Sequence, residues 1–445
     1  MTIIKNQSQW KTSTGFILAS AGSAIGLGAM WKFPYMAGVY GGGAFLLLFL
    51  IFTLLVGLPL LIMEFTVGKM GRTYTTKIYE KLTARKWLNI IGWNGNLAVF
   101  ILFAFYSVIG GWIIIYLFKV LMQLVTFNDS ALSKINFDQI ITNPWLTVVG
   151  QGIFILLTMI IVMLGVEQGL EKSSKFMMPL LFICLIIIVI KSLSLDGAMA
   201  GVRYILEPRL DDISVKGILF ALGQSFFTLS LGTTGMITYA SYASKEMTIK
   251  TSAISIVIMN ILVSVLAGLA IFPAISAFGY KPTEGPGLLF KVLPSVFEQM
   301  SFGTLSYFVF LILFLFAALT SSISLLELNV SNFTKNDNTK RKKVAVIGSI
   351  LVFLLSIPAT LSFGSLSHIQ FGAGSIFDNM DFLVSNILMP LGALGTTLVV
   401  GHLLKIEELK AHFGRDKFKL FIPWYLLIKF VLPVVIVVIF IVQFI

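Results

Sequence analysis

Two stretches of this 445-residue chain gather glycine and small hydroxyl residues in the middle of apolar runs. One is Ala21-Gly22-Ser23-Ala24-Ile25-Gly26-Leu27-Gly28, with Pro34 a little further on. The other is Thr228-Leu229-Ser230-Leu231-Gly232-Thr233-Thr234-Gly235. Glycine disfavours helix by about 1 kcal/mol relative to alanine, so both clusters suit unwound backbone. At membrane depth such backbone survives only where it lines a cavity enclosed by protein. The broken ends carry chemistry. Free N–H groups at the start of a half-helix suit a carboxylate, and free carbonyls at the end of the other half suit sodium or an ammonium group. The plainer reading is close helix packing through Gly22-x-x-x-Gly26. Charges also lie inside apolar runs, where ionisable groups are functional candidates, among them Lys32, Glu64, Glu327 and Asp381. Glu64 and Glu327 read as buried structural carboxylates tied to backbone or water.

The elements that must hold these groups follow from composition. The chain is 57% hydrophobic and 12% charged, with mean hydropathy +0.94. A soluble domain averages about 25% charged residues, so lipid is the expected solvent. Apolar runs fall at about 15–38, 43–69, 89–124, 145–165, 173–193, 216–243, 250–278, 303–333, 343–363, 378–403 and 420–443. This is an all-α integral membrane protein with eleven spans, and short helices are expected around Gly285 to Gln299. The two breaks fall in the first and sixth spans, five helices apart. That is the mark of a five-plus-five inverted repeat with a site where the broken helices meet. The division is 1–14 as an N-terminal segment, 15–193 and 216–403 as the two repeats, and 420–443 as the eleventh helix.

The net charge of +12 does not point to nucleic acid, because Lys and Arg sit in short loops. Alternate loops hold 22 of them, among them Lys5, Lys69, Arg72, Lys245, Lys335, Arg415, Lys417 and Lys419. The intervening loops hold 6, including Lys134 and Lys281. By the positive-inside rule the N-terminus is cytoplasmic and the C-terminus outside. Residues 1–14 are polar and no cleavage site follows the first run, so that run reads as a retained helix rather than a signal peptide. Cys184 is the one cysteine, and His368, His402 and His412 are scattered. Neither a disulfide within the chain nor a cysteine or histidine metal site is expected. No Ser/His/Asp cluster suggests an enzyme.

The motifs Gly22-Ser23-Ala24-Ile25-Gly26-Leu27-Gly28, Trp31-Lys32-Phe33-Pro34-Tyr35 and Gly41-Gly42-Gly43-Ala44-Phe45 resemble the opening of the neurotransmitter:sodium symporter family. Phe226 to Gly232 with Thr238-Tyr239-Ala240-Ser241-Tyr242 resembles its sixth helix, and Ala317 to Ser322 its eighth. The resemblance covers nearly the whole chain and is nearest to bacterial amino-acid members with eleven helices. It implies that the N–H groups of Leu27 and Gly28, with the Tyr106 hydroxyl, hold a substrate carboxylate. Carbonyls of Ala24, Phe227 and Thr228, with Ser230, would take the amino group, and Phe227 would close as a lid. Leu102, Thr233, Ser321, Ser322 and Leu325 would shape the side-chain pocket. Members that carry monoamines have an Asp where this chain has Gly26, so a substrate bringing its own carboxylate is expected.

The same resemblance implies a sodium site at Gly22, Ile25, Ala317, Thr320 and Ser321. For a first sodium site, Ala24, Thr228 and Asn260 match, but Ala29 replaces an Asn ligand. Ser264 stands where chloride-independent bacterial members have an acidic residue. Ser264, Asn260 and Gln224 resemble a chloride-binding set, yet its Tyr is Phe49 here. Two readings stand: a weakened first site with chloride, or transport on the second site alone, towards which three departures around one ion lean. Lys32 and Asp381 would form an outer gate, with Lys giving a looser pair than the usual Arg. At the inner gate Trp10, Ser241 and Tyr242 match. The usual Arg is Gln7 and the usual Asp is Lys335, so that bridge is absent or rebuilt with Asp337. The implied function is sodium-coupled import of a hydrophobic or aromatic L-amino acid by alternating access. Proton coupling on the same fold and a non-transporting sensor are the alternatives. Thr320 and Ser321 argue against the first, and the lack of an output domain against the second.

Overall fold

A peptide group stranded in hydrocarbon costs several kcal/mol, so an apolar chain must close its hydrogen bonds within each segment. The apolar runs accordingly form helices. The computed structural model describes residues 9–126, 132, 135–244, 247–279, 288–335, 337–413 and 420–442. Lys5, Gln7, Lys134, Lys245, Lys281, Arg415, Lys417 and Lys419 lie outside these. Among the described residues there is no strand beyond one isolated bridge, Phe371 to Gly374.

Among the described residues nine continuous helices are long and apolar enough to cross a membrane: Gly43–Gly71, Lys86–Val125, Pro144–Met163, Val166–Leu193, Ile249–Ala277, Gly303–Thr334, Asn338–Leu361, Ile376–His402 and Phe421–Val442. Two broken ones complete the set. Ser13–Ala24 and Gly28–Val39 form the first span, bent by 46°. Val215–Thr228 and Gly235–Ser241 form the sixth, interrupted at 229–234. Spans one to five and six to ten thus each open on a broken helix. The fifth span starts seven residues before the sequence expectation, because Val166–Glu171 winds as a wide π turn after Gly165, at φ 92°. Leu288–Val292 and Leu293–Glu298 are the short helices expected before the eighth span.

The third and eighth spans form the centre, with 83% of their most apolar stretches buried against 17% for the eleventh. They pack along each other, and the first span lies against the fifth, seventh and eighth. The fourth span is pinned by side-chain hydrogen bonds. Gln151 Nε2 donates to Ser107 Oγ at 2.8 Å, Thr360 Oγ1 donates to Gln151 Oε1 at 2.6 Å, and Thr158 shares a 2.8 Å bond with Ser322. Each satisfies a polar group that lipid could not.

Candidate functional site

At the sixth-span break Ser230, Gly232 and Thr234 adopt φ of 53°, 77° and 61°. The left-handed region costs a residue with a side chain about 1–2 kcal/mol, so neighbours must hold Ser230 and Thr234 there. Glu64 Oε1 accepts from Gly232 N at 2.7 Å. The tenth span presses on the same turn, since a Cβ on Gly232 would overlap Met389 O, and one on Gly392 would overlap Gly232 O. In the first span, Ile25 leaves helical geometry at φ −85°, ψ 22°. A Cβ on Gly28 would sit 3.1 Å from the Phe227 ring and 3.2 Å from Thr228 Cα, so the two breaks touch. A Cβ on Gly26 would strike Ser321 Oγ and lie 2.7 Å from both Ser321 Cβ and the Tyr106 hydroxyl.

Between the breaks lies a cavity of about 20 Å³, room for roughly one water. Of the residues expected around a substrate, it brings together Ala24, Leu27 and Gly28, Leu102 and Tyr106, Phe227 and Ser230, and Ser321 and Leu325. Leu27 N donates to Tyr106 Oη at 3.2 Å, and Ser230 Oγ to Ser23 O at 3.3 Å. Three expected residues lie outside the lining. Thr228 turns to Asn260, Thr233 donates to Ser230 O at 2.6 Å, and Ser322 is held by Thr158. Gly26, the position where monoamine carriers have an Asp, lines it too, and Ser23 and Met389 do so without having been anticipated there. The first two sit within the glycine-rich motif, whereas nothing in the sequence around Met389 marks it.

Two oxygen-rich clusters flank the cavity. Ser321 Oγ donates to Gly22 O and Ser23 O at 3.0 Å, and Thr320 Oγ1 to Phe316 O and Ala317 O at 3.0 Å. Thr320 Cβ lies 2.9 Å from where a Gly22 Cβ would be. Gly22, Ala317, Thr320 and Ser321 therefore face one another, with Ile25 at the end of the half-helix. Hydroxyls and backbone carbonyls form a donor set that suits a hard cation. In the second cluster Asn260 Nδ2 lies 3.2 Å from Ala24 O and 3.1 Å from both Thr228 O and Thr228 Oγ1. Gln224 Nε2 donates to Gly28 O at 2.7 Å, while Gln224 Oε1 and Ser264 Oγ are buried without a partner. Among the described residues no group of three or more His, Cys, Asp or Glu could hold a metal.

Polar and ionic contacts lie on two sides of the cavity. On one side Lys32 Nζ lies 3.3 Å from both Asp381 oxygens and 4.2 Å over the Phe227 ring, and Ser385 Oγ donates to Asp381 at 2.7 Å. On the other side Trp10 Nε1 donates to Tyr239 O at 2.9 Å and Trp10 N to Tyr242 O at 3.1 Å, while Ser241 Oγ bonds back to Thr238 O. Beneath them Tyr242 Oη donates to Glu327 at 3.1 Å, and Glu327 forms a buried ion pair with Arg341. Arg341 Nε also donates to Val162 O at 2.9 Å. This pair corrects two expectations. Glu327 is tied to a cation rather than to backbone or water. Asp337 rebuilds no long-range bridge, because it pairs at 2.9 Å with Lys340 in its own turn. There the Thr339 and Lys340 side chains hold its carboxyl down at about 2. A crevice of about 550 Å³ opens on this side, lined in part by Gln9, Glu167, Asn338 and Arg341.

The profile of the sodium:neurotransmitter symporter family matches residues 7–142 and 149–445. An uncharacterized sodium-dependent transporter of Bacillus subtilis (strain 168), YhdH, is 47% identical over 435 residues, which cover 97% of this chain and 96% of that one. The sodium-dependent neutral amino acid transporter B(0)AT2 of Mus musculus is 28% identical over 304 residues, 61% of this chain and 41% of its own. The crystal structure of MhsT in complex with L-phenylalanine is 37% identical and superposes with a TM-score of 0.91, covering 98% of this chain and 99% of MhsT.

Proposed function

This chain belongs to the sodium:neurotransmitter symporter family, and on that premise we propose that it imports a hydrophobic or aromatic L-amino acid together with sodium. The observation that carries this reading is the crowding at Gly26, where even a methyl group would strike Ser321 and Tyr106. No side-chain carboxylate fits beside the cavity there, so the negative charge at this point must arrive with the substrate. Its carboxylate would take the N–H groups of Leu27 and Gly28 and the Tyr106 hydroxyl, at the positive end of a half-helix. Its ammonium group would meet the Ala24, Phe227 and Thr228 carbonyls and Ser230. Its side chain would lie against Leu102 and Leu325, where no charge faces it. That MhsT binds L-phenylalanine supports the substrate class.

Sodium would sit among Gly22, Ile25, Ala317, Thr320 and Ser321, joining the first span to the eighth. With the N-terminus in the cytoplasm, Lys32 and Asp381 close the outer side. Trp10, Tyr242 and the Glu327–Arg341 pair close the inner one. The first and sixth spans would rock with their partners, so that substrate and ion enter from outside and leave on the Trp10 side. A potential of 100 mV supplies about 2.3 kcal/mol per charge carried inward, and the sodium gradient adds to it.

The test is uptake of radiolabelled amino acids into proteoliposomes under an imposed sodium gradient, with chloride present or replaced by gluconate. Sodium-driven accumulation of leucine, methionine or an aromatic amino acid is expected. Accumulation with a proton gradient alone would overturn the ion assignment. A second reading rests on the buried, partnerless Ser264 Oγ and Gln224 Oε1: chloride held by Ser264, Asn260 and Gln224 next to a first sodium at Ala24, Thr228 and Asn260. Uptake that falls when gluconate replaces chloride would establish it, and unchanged uptake would leave sodium at the second site as the coupling ion.

A further inference from the structure

We infer that Met389, on the tenth span, sets how large a side chain the transporter accepts; the inference rests on the amino-acid reading above. Met389 is 1% exposed and lines the cavity beside Leu102, Phe227 and Leu325. With Thr233 turned back to Ser230 and Ser322 held by Thr158, these four side chains leave that end of the cavity apolar. Selection there is by volume.

The tenth span reaches the cavity because its winding is irregular. Asp381 and Met389 are eight residues apart, which in a regular α-helix leaves them about 80° apart around the axis. Leu383–Leu388 winds as a wide π turn that takes up an extra residue. This brings Asp381, at the Lys32 gate, and Met389, at the cavity, onto one face. The backbone of Met389 cannot retreat. Its carbonyl lies against Gly232, Gly392 lies against the Gly232 carbonyl, and Asn94 Nδ2 donates to Leu388 O at 2.8 Å. Only the side chain is left to give way. Methionine is unbranched and flexible, suited to moulding around aromatic and aliphatic groups alike. The residue under the gate carboxylate on the same helix is therefore the adjustable wall of the pocket.

The test measures kcat/KM for alanine, valine, leucine, phenylalanine and tryptophan in proteoliposomes carrying the unsubstituted protein, Met389→Leu, Met389→Phe or Met389→Ala. Met389→Leu, nearly equal in volume, is expected to keep the original ranking. Met389→Phe is expected to lower the phenylalanine-to-alanine ratio by about tenfold or more, and Met389→Ala to raise the tryptophan-to-phenylalanine ratio by a similar factor. Sodium dependence should stay unchanged throughout. Unaltered ratios in both the Phe and Ala variants, alongside active uptake, would overturn this inference alone. Failure of the unsubstituted protein to take up any amino acid would overturn the amino-acid reading and this inference with it.

Discussion

Tyr106 joins the third span to the first break through a single hydrogen bond from Leu27 N. If its hydroxyl also meets a substrate carboxylate, Tyr106→Phe removes a hydrogen bond to a charged group, worth about 1.5–3 kcal/mol. A rise in KM of roughly tenfold to a hundredfold is expected in uptake assays, with the fold intact. Gly26→Ala tests the crowding directly. The added methyl must displace Ser321 or Tyr106, so transport should fall to background while the protein still inserts. Thr320 and Ser321 supply two hydroxyls to the cluster facing Gly22. Thr320→Val combined with Ser321→Ala keeps the shape and deletes both oxygens. Uptake should lose its response to sodium, and a retained response would sink the assignment of the ion to this cluster.

The broken helices are held in place by spans other than the two that break. The second span supplies Glu64 to Gly232, the tenth presses Met389 and Gly392 on the same turn, and the fourth fixes Ser107 and Ser322, the neighbours of Tyr106 and Ser321. On the Trp10 side the eighth and ninth spans are joined by Glu327 and Arg341. Removing one partner from a buried ion pair strands the other charge, at about 3–5 kcal/mol. Glu327→Ala should therefore lower the melting temperature in detergent clearly. Glu327→Met with Arg341→Met should recover much of that loss while leaving the inner side easier to open, read as faster labelling of a cysteine introduced in the crevice.

At the scale of the whole molecule the contacts on the two sides of the cavity differ in kind. Lys32 and Asp381 meet side by side at 3.3 Å without the forked geometry an arginine would give. Lys32→Arg should strengthen that closure, and slower substrate exchange from the outer side, measured as release from preloaded protein, is the expected result. On the Trp10 side, hydrogen bonds from Trp10 to Tyr239 O and Tyr242 O add to the buried pair of Glu327 and Arg341. The eleventh span, with the least buried apolar stretch of the nine continuous spans, packs on the tenth.

Much of this was legible in the chain. Apolar runs long enough to cross a bilayer have no soluble solution, so the spans were readable to within a few residues, save the start of the fifth. Glycine and hydroxyl clusters inside such runs cannot remain ordinary helix, which located both breaks. The charges stranded in apolar runs marked Lys32, Asp381, Glu64 and Glu327. What the sequence alone left open is which groups meet. Asp337 looked like a partner for a lost bridge, but its own turn supplies Lys340 at closer range, while Glu327 finds Arg341 only once the eighth and ninth spans pack. Met389 faces the cavity because one wide turn shifts the register of the tenth span, and no residue pattern announces that shift. Hydropathy and backbone propensity are written locally along the chain. The pairing of side chains across helices depends on the rotation of each helix about its axis, which only the packed molecule fixes.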